Sequence, residues 1–416
     1  MPSTDSQSLA DQSACYICAG VSITEGFILA LLASVSATGI SHGTQYVVTS
    51  SDYAPVAGAG VTITAQLVDS HGNAVHTSGI TVTWSKTGSD ASFSSPTSVT
   101  NASGIATVTF TTDFAGVAHV VTATDTNSRT GSTASITSVV GPYTVAWAAG
   151  VVLNGGVNPT ATEQAAADRY YRNCLAAGLT TLIISEILCI SSSLIGATTP
   201  FLFSGAHGAV WGNLGPGNFV DADVNINGLK GNGTNKGLNT FIVPSTDPDL
   251  TDTSASLIAY IQTIDTTGHN YSFGVGGAGD SSHWAIFNGA ATIGGYCWRF
   301  VNSGTDFITG SMGGAAGQKG YVLATRTASN LLTLYGANST SPWAALGTAS
   351  GAQTGARSNI AFQLYAFCLN GLGLAQQFID GRASYLGVAK GMTSAQGQAH
   401  YNAVQQFLTD KGGGFI

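Results

Sequence analysis

"VTITAQLVDSHGNAVHTSGITVTWS", residues 61–85, decides how the first third of the chain is read. Val61, Ile63, Ala65 and Leu67 alternate with Thr62, Thr64 and Gln66, a turn carrying Gly72 and Asn73 follows, and alternation resumes at Ile80, Val82 and Trp84. Side chains two positions apart share one face of a strand, so each run has one apolar and one polar face. "GIATVTFTTD" (104–113) and "VAHVVTATDT" (117–126) repeat the pattern, separated by Gly, Asn and Asp turns. Half-buried strands at this spacing describe a β-sandwich over residues 42–140 with Trp84 pointing inward. No cysteine falls in that range, so the core must close by packing alone.

Composition extends the reading to the whole chain. At 416 residues, roughly two or three domains are expected. Hydrophobic residues make up 44% and charged residues only 8%, which leaves Ser, Thr, Asn and Gln to form the polar surface of a mainly β protein. A formal charge of −8 with 13 Lys+Arg spread along the chain provides no basic stripe for nucleic acid or anionic membranes. Residues 1–13 lack Lys and Arg, and "GFILALLASVSATG" (26–39) is too short to span a bilayer, so neither an export signal nor membrane insertion is expected. Cys15, Cys18, Cys174, Cys189, Cys297 and Cys368 are too sparse for a disulfide framework. "CYIC" has no second pair and no neighbouring His, and reads as a buried or locally bridged turn rather than a metal site.

Four segments follow. Residues 1–41 form a helical docking segment, where Ser22 and Glu25 supply a capping box and Phe27, Leu31 and Val35 an apolar face. Residues 42–140 form the first sandwich. Residues 141–200 form a linker and helical pair: Thr160 or Thr162 caps a helix that turns Ala165, Ala166, Tyr170 and Cys174 toward a core, and the apolar "TTLIISEILCISSSLI" (180–195) is buried beside it. Residues 201–416 carry about a dozen short strands with Gly at nearly every turn, the pattern of a large two-sheet jelly roll. A final helix is capped by Thr393, buries Tyr401, Val404, Phe407 and Leu408, and stops at Gly412.

Two resemblances refine this. The turn at Asp69, Gly72 and Asn73, the Trp84 strand and the later turn at Thr100, Ala102, Gly104 and Ala106 resemble the bacterial immunoglobulin-like repeats of invasin and intimin adhesins and of phage virion proteins, which act as spacers. "DVNINGLKGNGTNKGLNT" (223–240), "LTLYGANS" (332–339), "FIDGRASYLGVAKGMT" (378–393) and the ending "YNAVQQFLTDKGGGFI" (401–416) resemble the concanavalin-A-like, laminin-G-like domains of phage tail and virion proteins. The resemblances imply a non-enzymatic phage structural protein, a tail-fibre, tail-tip or capsid-decoration subunit. It would be assembled in the host cytoplasm, displayed on the virion surface, and partnered by other virion proteins, copies of itself and a host-surface glycan. The alternative they leave is a bacterial surface adhesin or filament subunit binding polysaccharide.

A secreted glycoside hydrolase is the third reading. It needs two carboxylates flanking the scissile bond, whereas the chain has only Glu25, Glu163 and Glu186, none expected in a sheet. Asp221, Asp223 and Asn225 in "DADVNIN" would share one side of a strand and are the calcium candidates; a solvent face is the competing reading. His283, Trp284, Trp298 and Arg299 fall in neighbouring strands and are the glycan candidates, since an indole face stacks on a sugar ring; core packing competes. No other cofactor is expected, because the eight histidines are scattered and the Gly-rich stretches lack phosphate-binding context.

Overall fold

The computed structural model describes residues 42–189, 193–215, 217–263, 270–276, 283–288, 296–300, 307–310, 319–350 and 360–413. The docking segment expected over 1–41, with Cys15 and Cys18, lies outside them. The described residues are mainly β, arranged as an immunoglobulin-like sandwich followed by a larger two-sheet unit of jelly-roll type with a helical layer on its back.

In the first unit, Gln45–Ser50, Gly60–Val68, Ile105–Thr112 and Ala91–Phe93 form one antiparallel sheet. Thr97–Val99, Thr81–Lys86, Val121–Asp125 and Thr130–Ser132 form the other. Alternation places Ile63, Ala65 and Leu67 of the first sheet against Val82, Trp84, Val121 and Ala123 of the second, and all of these are buried. Trp84 keeps its indole N–H satisfied on the Ser98 hydroxyl at 2.9 Å, so the ring enters the core without orphaning a donor. The core is sealed at one end by a buried polar group: Asp125 accepts from Tyr46 Oη (3.0 Å) and Arg129 Nε (2.7 Å).

The second unit begins without a flexible connection. Val139 still bridges to Val56, and helix α1 (Pro142–Leu153) starts after only Val140 and Gly141. Proline at the first helical position fixes φ and restrains Gly141 to extended backbone. Helix α2 (Ala161–Ala176) follows, capped by Thr160, whose hydroxyl accepts from Glu163 N while the Glu163 carboxylate accepts from Thr160 N. Next come a strand at Ile183–Ile187 and the short α3 (Leu194–Thr198); α4 (Ser394–Asp410) closes the unit.

Residues 141–200, expected as a linker and helical pair, are therefore built into the second unit. Ile183–Ile187 pairs antiparallel with Arg382–Ala389 near the other end of the chain. Arg382–Ala389 also pairs with Ala255–Thr263, and the sheet continues through Gly320–Ala328, Leu331–Ala337 and Ala344–Ser350. A second sheet contains Asn270–Gly276, His283–Asn288, Tyr296–Phe300 and Phe307–Gly310. Leu257, Ala259 and Ile261 on one face of the first sheet meet Phe273, Val275, Trp284 and Ile286 of the second. Ile258 and Tyr260 on the opposite face meet α2 and α4 through Tyr170, Val404 and Phe407. The first sheet is thus covered on both sides, which is why Ala255–Thr263 is a nearly unbroken buried run.

Candidate functional site

The calcium candidates do not form a strand row. Asp221–Asp223 is a single turn of 3-10 helix, and only Val224–Asn225 continues as a two-residue strand. Each of their side chains accepts a hydrogen bond from the backbone. Asp221 accepts from Leu194 N (2.7 Å), Asp223 from Val220 N (2.8 Å) and Lys236 Nζ (2.5 Å), and Asn225 from Asn227 N (2.8 Å). Short carboxylate and amide side chains compete for nearby backbone N–H groups and so favour turns over strands.

The glycan candidates divide. His283–Asn288 and Tyr296–Phe300 are neighbouring antiparallel strands, with Ala285 opposite Arg299 and Ile286 opposite Trp298. Trp284, however, is fully buried in the core between the sheets, where no sugar can reach its face. The side chains of His283, Trp298 and Arg299 lie outside the described residues.

A cluster that sequence spacing does not show is formed by two loops. His207 lies in the turn after Ser204, with its backbone N–H on Ser204 O (3.0 Å) and its carbonyl accepting from Ser185 Oγ (3.2 Å). Asp247 and Asp249 flank Pro248, and Asp249 N donates to Asp247 Oδ1 (2.9 Å). His207 Nε2 stands 3.0 Å from Asp247 Oδ2, and one donor atom from each of His207, Asp247 and Asp249 falls within 4.8 Å of the other two. Ser204 Oγ donates to Asp249 (2.6 Å) and Lys390 Nζ pairs with it (3.1 Å), which together hold that carboxyl below its usual range.

One glutamate does lie in a sheet. Glu186, on the Ile183–Ile187 strand, is fully buried beneath the helical layer. Tyr170 (2.9 Å) and Tyr385 both donate to its Oε2. His400 Nε2 stands 2.9 Å from Tyr170 Oη and 3.1 Å from Tyr385 Oη, and His400 Nδ1 is 2.7 Å from Tyr321 Oη. These contacts form one connected chain, in which the phenols of Tyr170 and Tyr385 donate to Glu186 and also meet His400 Nε2, while Tyr321 meets Nδ1. Burial pushes the phenols of Tyr170, Tyr321 and Tyr385 well up, so they serve as donors. The network ties α2 and α4 to three strands, and Glu186 Oε1 has no hydrogen-bond partner.

The joint between the two units is also built from charge and small residues. Ala57 and Ala115 of the sandwich pack on Ala165 of α2. Arg169 lies over the Phe114 ring at 4.7 Å and bridges Asp113 (3.3 Å) to Asp410 (3.1 Å). Arg172 pairs with Asp113 (3.3 Å) and Asp168 (3.0 Å), and the buried Asp168 accepts from Gly141 N at 2.6 Å. A single α2 face therefore holds both the end of the sandwich and the peptide that links the units.

Cys174, Cys189 and Cys368 are free and buried, and burial pushes their thiols up. None of the helices among the described residues is long and apolar enough to cross a membrane.

With this geometry in view, the first unit has a family: residues 46–139 match the bacterial Ig-like domain (group 1). Among solved structures, the D00–D0 domain of intimin is similar at 24% identity and TM-score 0.21, over 24% of this chain and 49% of that one. The Escherichia coli adhesin FdeC is similar at 25% identity and TM-score 0.20, over 24% of this chain and 31% of that one. A leech intramolecular trans-sialidase is similar at 14% identity and TM-score 0.27, over 34% of this chain and 22% of that one. This chain thus spans half or less of each. None of the curated proteins matches it.

Proposed function

We propose that this chain is a non-catalytic surface adhesin or filament subunit of a bacterium, in which the Ig-like domain is a spacer and the two-sheet unit a concanavalin-A-like, laminin-G-like head. The observation that carries this is the joint. A connection of Val140 and Gly141 alone, locked by Pro142 and by Asp168, Arg169 and Arg172, keeps the head in one orientation on the spacer. An attachment protein that transmits force or packs against copies of itself needs this stiffness. Two other features agree: the bacterial Ig-like match over residues 46–139, and the placement of Glu186 under the helices, where it cannot meet a glycosidic bond.

The test is location. Protease shaving of intact source cells, followed by mass spectrometry of released peptides, should recover this chain from the outer surface. Recovery from purified virus particles would transfer the same spacer-and-head design to a virion and overturn the cellular assignment. Recovery from the cytosol alone would overturn display altogether.

A further inference from the structure

We infer that His207, Asp247 and Asp249 form a binding site for a first-row divalent cation of the zinc class, placed where it staples two loops of the head together. The loops carrying His207 and the two aspartates are some 40 residues apart in sequence, yet they present three donor atoms to one point. The Asp247 side chain is almost entirely removed from solvent, while His207, Asp249 and Lys390 are partly exposed, so the cluster is anchored on the buried side and reachable from the other.

The donor set selects the ion. One imidazole nitrogen with two carboxylate oxygens suits zinc and its first-row neighbours, whereas calcium and magnesium take oxygen donors. With the ring proton of His207 on Nδ1, the imidazole offers its Nε2 lone pair to the cation, and the two carboxylates bring a charge of −2. The orientation of the ligands is already supported. Ser204 Oγ fixes Asp249, Asp247 accepts from Asp249 N, and Ser185 Oγ holds the His207 carbonyl. Ligand atoms around tetrahedral zinc stand about 3.4 Å apart, given metal–ligand bonds of about 2.0–2.2 Å. The present spread reaches up to 4.8 Å, so binding draws the loops together. Lys390, whose ammonium pairs with Asp249, competes with the ion for that carboxylate.

The experiment uses the full chain stripped with EDTA and titrated with Zn²⁺ by calorimetry and with Co²⁺ by visible absorption. One equivalent of Zn²⁺ should bind, the melting temperature should rise with it, and Co²⁺ should develop the strong visible bands of a low-coordinate site with nitrogen ligation. His207→Gln and Asp249→Asn should each weaken binding at least tenfold with circular dichroism unchanged. Lys390→Met should tighten it, a gain that a purely structural ion pair does not predict. Absence of stoichiometric binding at 100 µM metal, or binding indifferent to both ligand substitutions, would overturn the site. The Co²⁺ spectrum of the unmutated chain decides the matter if a variant fails to fold.

Discussion

At the scale of single residues, two turns separate backbone conformation from available space. Gly72 and Gly104 both have positive φ, at 82° and 74°. A methyl group at Gly72 would meet nothing, whereas at Gly104 it would sit 1.9 Å from the Val75 carbonyl oxygen. Gly72→Ala should therefore destabilise by about 1 kcal/mol, the cost of left-handed backbone alone. Gly104→Ala should exceed about 3 kcal/mol, since the clash with backbone adds to that strain. Urea unfolding of the two variants followed by Trp fluorescence checks the difference. Asp125 gives a pH dependence. Burial opposes its ionised form, but the hydrogen bonds from Arg129, Asn127 and Tyr46 outweigh that and hold it below the usual carboxylate range. A depressed folded-state pKa means that the stabilisation is complete above the unfolded value of about 3.9 and is lost as pH falls through the folded one. Asp125→Asn should lower the stability of the sandwich by about 2 kcal/mol at pH 7. Its deficit relative to the parent chain should shrink below about pH 3.9; equal deficits at pH 7 and pH 2 would contradict this role.

Among elements, legibility followed the number of covered faces. Strands of the Ig-like domain have one solvated face, so alternation locates them, and Trp84 is buried as its pattern requires. Helix α4 is equally plain: Thr393 accepts from Gln396 N, the side chains of Tyr401, Val404, Phe407 and Leu408 are buried, and Gly412 takes positive φ. Thr393→Ala should cost about 1 kcal/mol, and Thr393→Ser much less, by thermal unfolding. Elements covered on both faces were harder to see. Ala255–Thr263 shows no alternation, and the Ile183–Ile187 strand is a short apolar run whose period cannot separate strand from helix; its β-branched isoleucines are the signal that favours strand. Asp221–Asp223 fails in the opposite sense, since alternation is present but the carboxylates turn back on the backbone. His207 and the Asp247–Asp249 pair were illegible because loops carry no periodicity and their meeting depends on two separate turns.

For the whole molecule, the joint decides behaviour. Asp168 is buried and holds Gly141 N as well as Arg172, so Asp168→Ala leaves a backbone donor without its acceptor and the Arg172 guanidinium with Asp113 alone. The loss of about 1.5–3 kcal/mol is local to the joint, because the sandwich core is a separate cluster. Small-angle scattering should show a broader distribution of overall dimensions for this variant, and calorimetry should resolve two melting steps closer to independence. An unchanged scattering profile would mean that Pro142 and the short connection suffice without the charge network.

The pairing of Ile183–Ile187 with Arg382–Ala389 has a consequence for synthesis. Tyr385 meets Glu186 across 199 residues of chain. The sandwich, whose last bridge is at Val139, can fold before the strands of the head are translated. The head has no such option: the Ile183–Ile187 strand waits for Arg382–Ala389, and the phenol–imidazole network waits further for His400 on α4. Until Arg382–Ala389 emerges, the helices and hairpins of the head lack the strand that joins Ile183–Ile187 to Ala255–Thr263, and that interval is where a cell's chaperones would meet the nascent chain.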